Sequence, residues 1–250
     1  MKQLYFLLIA FLLLAGCDKA SDTSALNAGG AGTGGSLARF TITANHLYTV
    51  DKQDLKVYDI TDGAQPVFKR TIPVGFEIET IFPFKDKLFI GSTSRVYIFS
   101  LADPSNPQKQ GEAISPEVMR RCDPVVAKDT VAYATLRTNG ACGGTMSVLA
   151  AYDVRDVQNP VQKKLVEVGS PYGLAYSGNT LYVCDQQRGI LVFDISSAYD
   201  PLLKKQVPLS GSYPIDVIPV GNVLVVWTTK GMTLYDITNR INPVLITNII

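Results

Sequence analysis

Short apolar runs alternate with polar positions along most of the chain, and each run ends in Gly, Asn, Asp or Pro. The clearest example extends from Tyr172 to Leu209, where runs rich in Tyr, Val, Ile and Phe are separated by turn residues. Such alternation is typical of half-buried antiparallel strands. We predict four strands, A to D, in this stretch: 173–177, 180–185, 189–195 and 202–209.

The same unit recurs five times along the chain. In each copy an acidic or small residue at the junction of strands C and D is followed seven positions later by proline. These junction residues are Asp59, Ser100, Asp153, Asp194 and Asp236, spaced 41, 53, 41 and 42 residues apart. One twisted four-stranded sheet must stack on neighbours to bury both faces, so this period predicts the blades of a propeller.

We therefore predict an all-β protein, a five-bladed β-propeller of four-stranded antiparallel blades. The predicted blades are about 37–74, 77–113, 120–168, 170–209 and 212–250. Ser100 stands where the other copies carry Asp, which indicates that this residue forms a turn and is not a shared chemical group. Blade one begins with a strand A and blade five ends with a strand D, so we expect face-to-face closure of the ring without strand exchange.

The first residues of the chain form a predicted lipoprotein signal peptide, residues 1–16. Lys2 is followed by a mostly apolar run that is too short to span a membrane, and Leu14-Ala15-Gly16-Cys17 resembles a bacterial lipobox. Cys17 is the predicted lipidation site, and residues 17–36, rich in Gly, Ser and Ala, are a predicted flexible tether. The alternative is an ordinary cleaved signal peptide with a chance cysteine.

The repeated Val-Tyr-Asp-Ile and Val-Phe-Asp-Ile strands, each followed by an Asx-Pro turn, resemble those of LVIVD-repeat proteins, a family of bacterial and archaeal secreted or surface proteins. The segments 121–126, 132–137 and 142–144 are similar to the lipoprotein branch of that family. The resemblance covers about residues 37–250. It implies a propeller-like fold and a cell-envelope location, but no activity or ligand. We expect a membrane-anchored lipoprotein that faces the periplasm or the cell surface, with the outer membrane favoured over the inner.

Two cysteines in blade three are placed to form a disulfide bond. Cys122 lies at the predicted start of strand A, and Cys142 lies in the loop that leaves strand B. Antiparallel order brings these two places together, and export places both thiols in an oxidising compartment. A metal site at these cysteines is the alternative. Cys184 is left over, and we interpret it as a core cysteine or, alternatively, as a reactive thiol near the central channel.

The amino-acid composition excludes or disfavours several kinds of catalytic, metal and nucleic-acid site. His46 is the only histidine and lies at a predicted turn, so a zinc site with two histidines is excluded and a Ser-His-Asp triad is disfavoured. A net charge of +1 with 18% charged residues gives no reason to expect nucleic acid as a partner. We predict no catalytic residue, no metal and no cofactor.

The candidate binding surface is the rim around the channel mouth, formed by the connections from strand D to strand A and by the loops between strands B and C. The repeat register places nine residues there: Glu79, Arg121, Asp123, Arg137, Tyr172, Asp185, Arg188, Asp216 and Trp227. Charges of both signs together with aromatic rings suit a polar ligand, a glycan or a protein loop. The alternative is that these charges pair with one another across neighbouring blades.

Three functions follow from this surface. The favoured one is a non-enzymatic interaction or scaffold module on an envelope membrane, which predicts a broad rim and an envelope or surface protein as partner. The second is binding of a glycan or small polar ligand, which predicts a concave channel mouth with Trp227 or Tyr172 exposed in it. The third is a hydrolase that uses Glu79, Asp123 or Asp216, which requires two carboxylates about 5–10 Å apart.

Overall fold

The chain forms strands where the alternating pattern predicts them. The computed structural model describes residues 35–114, 124–138 and 146–249, which lie in a compact unit spanning residues 31–250. Within these ranges no helix has the length and apolar character needed to cross a membrane. The predicted signal peptide and tether up to residue 34, Arg121, Asp123 and the Cys122–Cys142 pair lie outside the described residues.

The described residues form five antiparallel sheets of four strands, which we call blades one to five. Blade one comprises β1 Phe40–Thr43, β2 His46–Val50, β3 Asp54–Asp59 and β4 Val67–Pro73. Blade two comprises β5 Ile78–Phe84, β6 Lys87–Ser92, β7 Arg95–Ser100 and β8 Gln108–Ile114. Blade three comprises β9 Val125–Lys128, β10 Val131–Leu136, β11 Ser147–Asp153 and β12 Val161–Val168. Blade four comprises β13 Pro171–Ser177, β14 Thr180–Asp185, β15 Gly189–Asp194 and β16 Leu202–Val207. Blade five comprises β17 Pro214–Val220, β18 Val223–Thr228, β19 Gly231–Asp236 and β20 Val244–Ile249.

Each sheet is built from four strands that are consecutive in the chain, so the predicted fold class is confirmed. Among the described strands, none is exchanged between blades. The five junction residues also act alike. Each side-chain oxygen accepts a hydrogen bond from the backbone N–H two residues later: Asp59, Ser100, Asp153, Asp194 and Asp236, at 2.9, 3.2, 3.1, 2.9 and 2.7 Å. Ser100 makes this bond as the aspartates do, so the junction position forms a turn.

Successive blades pack face to face around their first strands. The first strand of each blade contacts the first strand of the next, so these strands line the centre. Four hydrophobic clusters join blades one to two, two to three, three to four and four to five. Three buried tyrosines add a hydrogen bond to a backbone carbonyl of the following blade: Tyr48 to Pro104, Tyr133 to Ala198 and Tyr182 to Arg240. All four junctions thus bury apolar side chains, and three of them add a tyrosine hydrogen bond.

The expected face-to-face closure between blades five and one is not observed in the described residues. No hydrophobic cluster there joins the two blades. Strands of the middle blades, such as β10 and β11, are buried on both faces, whereas β2 in blade one and β18 in blade five keep buried residues on one face only. The expectation of closure was wrong because a complete set of strands in every blade does not require the first and last blades to meet.

Candidate functional site

The centre of the unit is occupied by the segment Gly35–Ala38, which runs into blade one. The hydroxyl of Ser36 accepts a hydrogen bond from the backbone N–H of Leu174 in blade four, at 2.7 Å. The backbone N–H of Ile81 in blade two donates to the carbonyl of Ala38, at 2.9 Å. This short segment therefore ties the first strands of blades two and four to the start of blade one.

Asp216, on the first strand of blade five, meets the same segment. Its carboxylate accepts hydrogen bonds from the Ser36 hydroxyl and the Leu37 N–H, both at 3.4 Å, and from its neighbour Val217 at 2.9 Å. Glycine on both sides leaves room for the carboxylate, because a Cβ at Gly35 or Gly173 would lie about 2 Å from an Asp216 carboxylate oxygen and would force that side chain to move. The carboxylate is thus enclosed by backbone from blades four and five and the central segment.

Burial raises the pKa of the Asp216 carboxyl group. Desolvation raises the pKa of Asp216 from 3.8 to about 6, and the three hydrogen bonds only partly oppose that shift. A perturbed carboxylate of this kind is common in functional sites. Asp216 is only 8% exposed, however, and lies beneath the central segment. Its environment therefore gives it a structural role as the anchor of Gly35–Ala38.

Arg137 and Tyr172 are the two predicted rim residues that the structure brings into contact. Arg137 follows β10 at the end of strand B in blade three, and Tyr172 lies at the start of strand A in blade four. The guanidinium carbon lies 3.8 Å from the centre of the Tyr172 ring, a close cation–π contact. The Thr135 hydroxyl donates to the Tyr172 carbonyl at 2.9 Å, which fixes the backbone beneath the ring.

One nitrogen of this arginine has no hydrogen-bond partner. Nη1 of Arg137 is shielded from solvent and is the one buried side-chain nitrogen or oxygen in the described residues that lacks a partner. A buried donor without an acceptor costs about 1–3 kcal/mol, so such atoms are rare in folded proteins. The half-buried Arg137 therefore keeps one enclosed, unpaired donor at the junction between blades three and four.

Asp185 was predicted for the rim but is committed to the backbone. Its fully buried carboxylate accepts hydrogen bonds from Gly169 at 2.6 Å and Ser170 at 3.1 Å, which hold the connection between blades three and four. It also accepts from Gln187 at 2.8 Å and Arg188 at 3.0 Å in its own turn. The backbone N–H of Arg188 is used in this turn. Asp185 is thus a structural residue.

Arg121 and Asp123 lie outside the described residues, and Glu79 and Trp227 belong to blades two and five. Glu79 is half-buried near the start of β5. Trp227 is 53% exposed at the end of β18, at a strand position that faces the following blade in blades one to four. Trp227 therefore points to the open end of blade five and not to a concave channel mouth.

His46, the only histidine, and Cys184 are both buried and have structural roles. His46 is buried, with Nδ1 2.7 Å from the Ala44 carbonyl and Nε2 2.8 Å from the Ser105 hydroxyl of blade two. Cys184 is fully buried between blades four and five, and desolvation raises the pKa of its thiol. The described residues contain no group of three or more His, Cys, Asp or Glu side chains that could hold a metal ion.

The sequence of blade four matches a known repeat family. The LVIVD repeat family matches residues 169–208, which coincide with β13 to β16. Blade four is therefore an LVIVD repeat. The other four blades share the strand order and the junction hydrogen bond of blade four, and the whole architecture is β-propeller-like. No curated protein sequence matches the chain.

Solved structures share the fold at low sequence identity. A functionally unknown protein from Desulfotomaculum acetoxidans has a TM-score of 0.67 and 13% identity, with 82% of this chain and 66% of that chain covered. The periplasmic gluconolactonase of Pseudomonas aeruginosa has a TM-score of 0.62 and 12% identity, with 84% and 67% covered. A protein from Lactobacillus plantarum has a TM-score of 0.61 and 19% identity, with 81% and 67% covered. This chain spans about two thirds of their length, and the likeness shows the fold alone.

Proposed function

We propose that this LVIVD-repeat protein is a bacterial envelope lipoprotein whose propeller rim binds a protein partner through Arg137 and Tyr172. The observation that carries the proposal is the half-buried guanidinium of Arg137, which is stacked on a fixed tyrosine ring and leaves its Nη1 donor unpaired. An acceptor oxygen on a partner, such as a carboxylate or a backbone carbonyl, can accept a hydrogen bond from the accessible part of this half-buried guanidinium. A carboxylate is favoured because its hydrogen bonds to guanidinium are charge-assisted.

The geometry of the pair also favours a protein over a small ligand. Arginine and tyrosine are enriched among the residues that dominate the binding energy of protein interfaces. Stacking on Tyr172 holds the guanidinium in place before binding, so little side-chain entropy is lost when a partner arrives. An acidic side chain on a partner loop suits this site.

The envelope location rests on the sequence at Cys17. Leu14-Ala15-Gly16-Cys17 follows a short apolar run, and lipid chains attached to that cysteine would hold the protein on a bilayer. Each buried methylene of an acyl chain contributes about 0.8 kcal/mol, so two or more chains give a stable anchor. The proposed partner is therefore a protein of the same membrane or of the space next to it.

Binding is tested with the unit spanning residues 31–250, used as bait on solubilised envelope extract and, in parallel, on a glycan array. Arg137→Ala and Arg137→Lys are compared with the unaltered unit by quantitative mass spectrometry. Lysine keeps the charge but loses the planar stack, so both variants are expected to lose the same partner about tenfold or more. Arg155→Ala is the matched control, because Arg155 also lies over a tyrosine ring, Tyr199, at 5.7 Å.

The outcomes separate the candidate functions. Loss of one protein with both Arg137 variants, but not with Arg155→Ala, supports a protein interface at the rim. A glycan signal that depends on Arg137, with no protein partner, replaces the protein by a glycan as ligand. Equal capture by all variants refutes a binding role for Arg137.

The anchor is tested separately with the full chain in a bacterial host that processes lipoproteins. The full chain is expected in the membrane fraction with labelled fatty acid attached, and Cys17→Ala is expected to lose the label. Label on the Cys17→Ala chain, or none on the full chain, contradicts the lipoprotein assignment.

A further inference from the structure

The two end blades carry apolar faces that other blades bury. We name the forward face of a blade as the side that packs on the next blade, and the rear face as the side that packs on the preceding one. In blades one to four, the third and fifth residues of strand B lie on the forward face, as Tyr182 and Cys184 do in blade four. The forward face of blade five comprises the equivalent Val225 and Trp227 with Met232 and Leu234 of β19. The rear face of blade one comprises Phe40, Leu47 and Tyr58.

Phe40 occupies the strand position at which the other blades pack against the preceding blade, but no preceding blade covers it. It pairs with the fourth residue of strand B, as do its equivalents in the other four blades: Ile81, Val125, Leu174 and Val217. Those four side chains are at most 1% exposed, each in a cluster with the preceding blade, whereas Phe40 is 60% exposed. Tyr58 behaves in the same way. Every blade has an aromatic residue at this repeat position, which is buried in blades two to five, but Tyr58 is only half-buried.

Blade five shows the complementary property on its forward face. Met232 pairs with Trp227 across β18 and β19. The residues equivalent to Met232 in blades one to four are Leu55, Val96, Leu149 and Ile190, and all are at most 2% exposed. Met232 is 49% exposed and Trp227 is 53% exposed. Large apolar side chains therefore stand where a following blade would cover them.

The geometry points to a head-to-tail contact in which the forward face of blade five covers the rear face of blade one in a second copy of this chain. The four internal junctions all join a forward face to a rear face, so the two free faces are the halves of a fifth junction of the same kind. Two forward faces would instead place Trp227 against Trp227, an arrangement that none of the internal junctions uses.

The size of the faces sets the strength of the contact. Four strands about 4.8 Å apart and six residues long at about 3.3 Å each give roughly 400 Å² of flat area per face. Apolar side chains cover part of each face, and an exposed apolar patch of a few hundred Å² is often functional. Two such faces bury roughly 800 Å², which is small for a stable complex. Thr49 and Lys56 also place polar atoms on the rear face of blade one. We expect a reversible association with a dissociation constant in the micromolar range.

The contact is tested by sedimentation velocity and light scattering on the 31–250 unit over a range of about 1 to 200 µM. The average mass is expected to rise with concentration. Trp227→Lys removes the forward contact and Phe40→Lys removes the rear contact, so each variant alone is expected to remain a monomer. An equimolar mixture is expected to regain association and to stop at pairs, because each variant keeps the face that the other lacks.

The mixture also controls for folding, since a misfolded variant cannot restore a partner's contact. Phe76→Lys is the matched control, because Phe76 is 76% exposed and lies between blades one and two, away from both end faces. Association that survives in Phe40→Lys alone would assign the contact to two forward faces and overturn the head-to-tail arrangement. A monomer at every concentration would overturn the proposal, as would a loss of association with Phe76→Lys equal to that of the end-face variants.

Discussion

Replacement of Asp216 by asparagine tests the account of the centre, because it removes the charge while keeping the shape. The pKa of this buried carboxyl is about 6 in the folded protein against 3.8 as the reference value. The folded state therefore holds the proton more tightly than the unfolded chain does. The stability that the protonated group contributes is fully present below about pH 4 and is lost as the pH rises through 6.

The shift sets the size of the effect. About two pKa units correspond to roughly 3 kcal/mol between the two protonation states. Asparagine stays neutral, and its carbonyl oxygen can accept from Val217, but its amide group faces the Leu37 N–H and gives up that weak bond. We expect Asp216→Asn to raise the free energy of unfolding by about 1–3 kcal/mol at pH 7.5, and to leave it unchanged or slightly lower it at pH 4.

The assay is urea unfolding of the 31–250 unit and the variant at several pH values between 4 and 7.5, with midpoints and slopes compared. Asp236→Asn is the control of opposite sign, because the exposed Asp236 accepts the Thr238 N–H and has a lowered pKa. Loss of that carboxylate is expected to destabilise at neutral pH and to matter less in acid. A difference between Asp216→Asn and the unaltered unit that stays constant with pH would refute the raised pKa.

Three further predictions concern other contacts. The Cys184 thiol is expected to react with iodoacetamide at least about 100-fold more slowly in the folded protein than in urea, as followed by peptide mapping, because burial suppresses its thiolate; fast native labelling would contradict its place in the core. Tyr182→Phe is expected to cost about 1 kcal/mol of unfolding free energy through loss of the bond to the Arg240 carbonyl, and an unchanged urea midpoint would speak against that bond. Non-reducing digestion of the exported protein is expected to yield one linked peptide containing Cys122 and Cys142, whose loop contributes about 3 kcal/mol in the chain-entropy model; free thiols at both positions would remove the disulfide.

The repeat made the blades predictable from sequence. The junction residue and the proline after it mark the same turn in all five units, and backbone hydrogen bonds hold that turn wherever Asp or Ser occurs. The register also brought Arg137 next to Tyr172, because the end of strand B in one blade lies beside the start of strand A in the next. The repeat period determines which residues of neighbouring blades lie at equivalent strand positions. The junction turn and the Arg137–Tyr172 contact therefore follow from it.

Periodicity does not state what a charged side chain binds. Asp185 and Asp216 occupy rim positions in the register, yet one carboxylate holds its own turn and the other anchors the central segment. Both roles depend on backbone N–H groups whose positions the sequence pattern does not give. Ser36 also escaped the prediction, because it was assigned to a flexible tether, although its hydroxyl bonds to blades four and five.

One residue in the sequence, Trp227, indicates that no following blade covers the forward face of blade five. The fifth residue of strand B is Val50, Gly91, Thr135 and Cys184 in blades one to four, all of moderate or small size. Each packs against a following blade, where close-packed interiors leave little room for a much larger side chain. An indole in blade five therefore indicates that its forward face meets a different surface from the other four. The half-exposed Phe40 on blade one has the matching property, so the size of the strand residues, and not their period, distinguishes an end blade from a middle one.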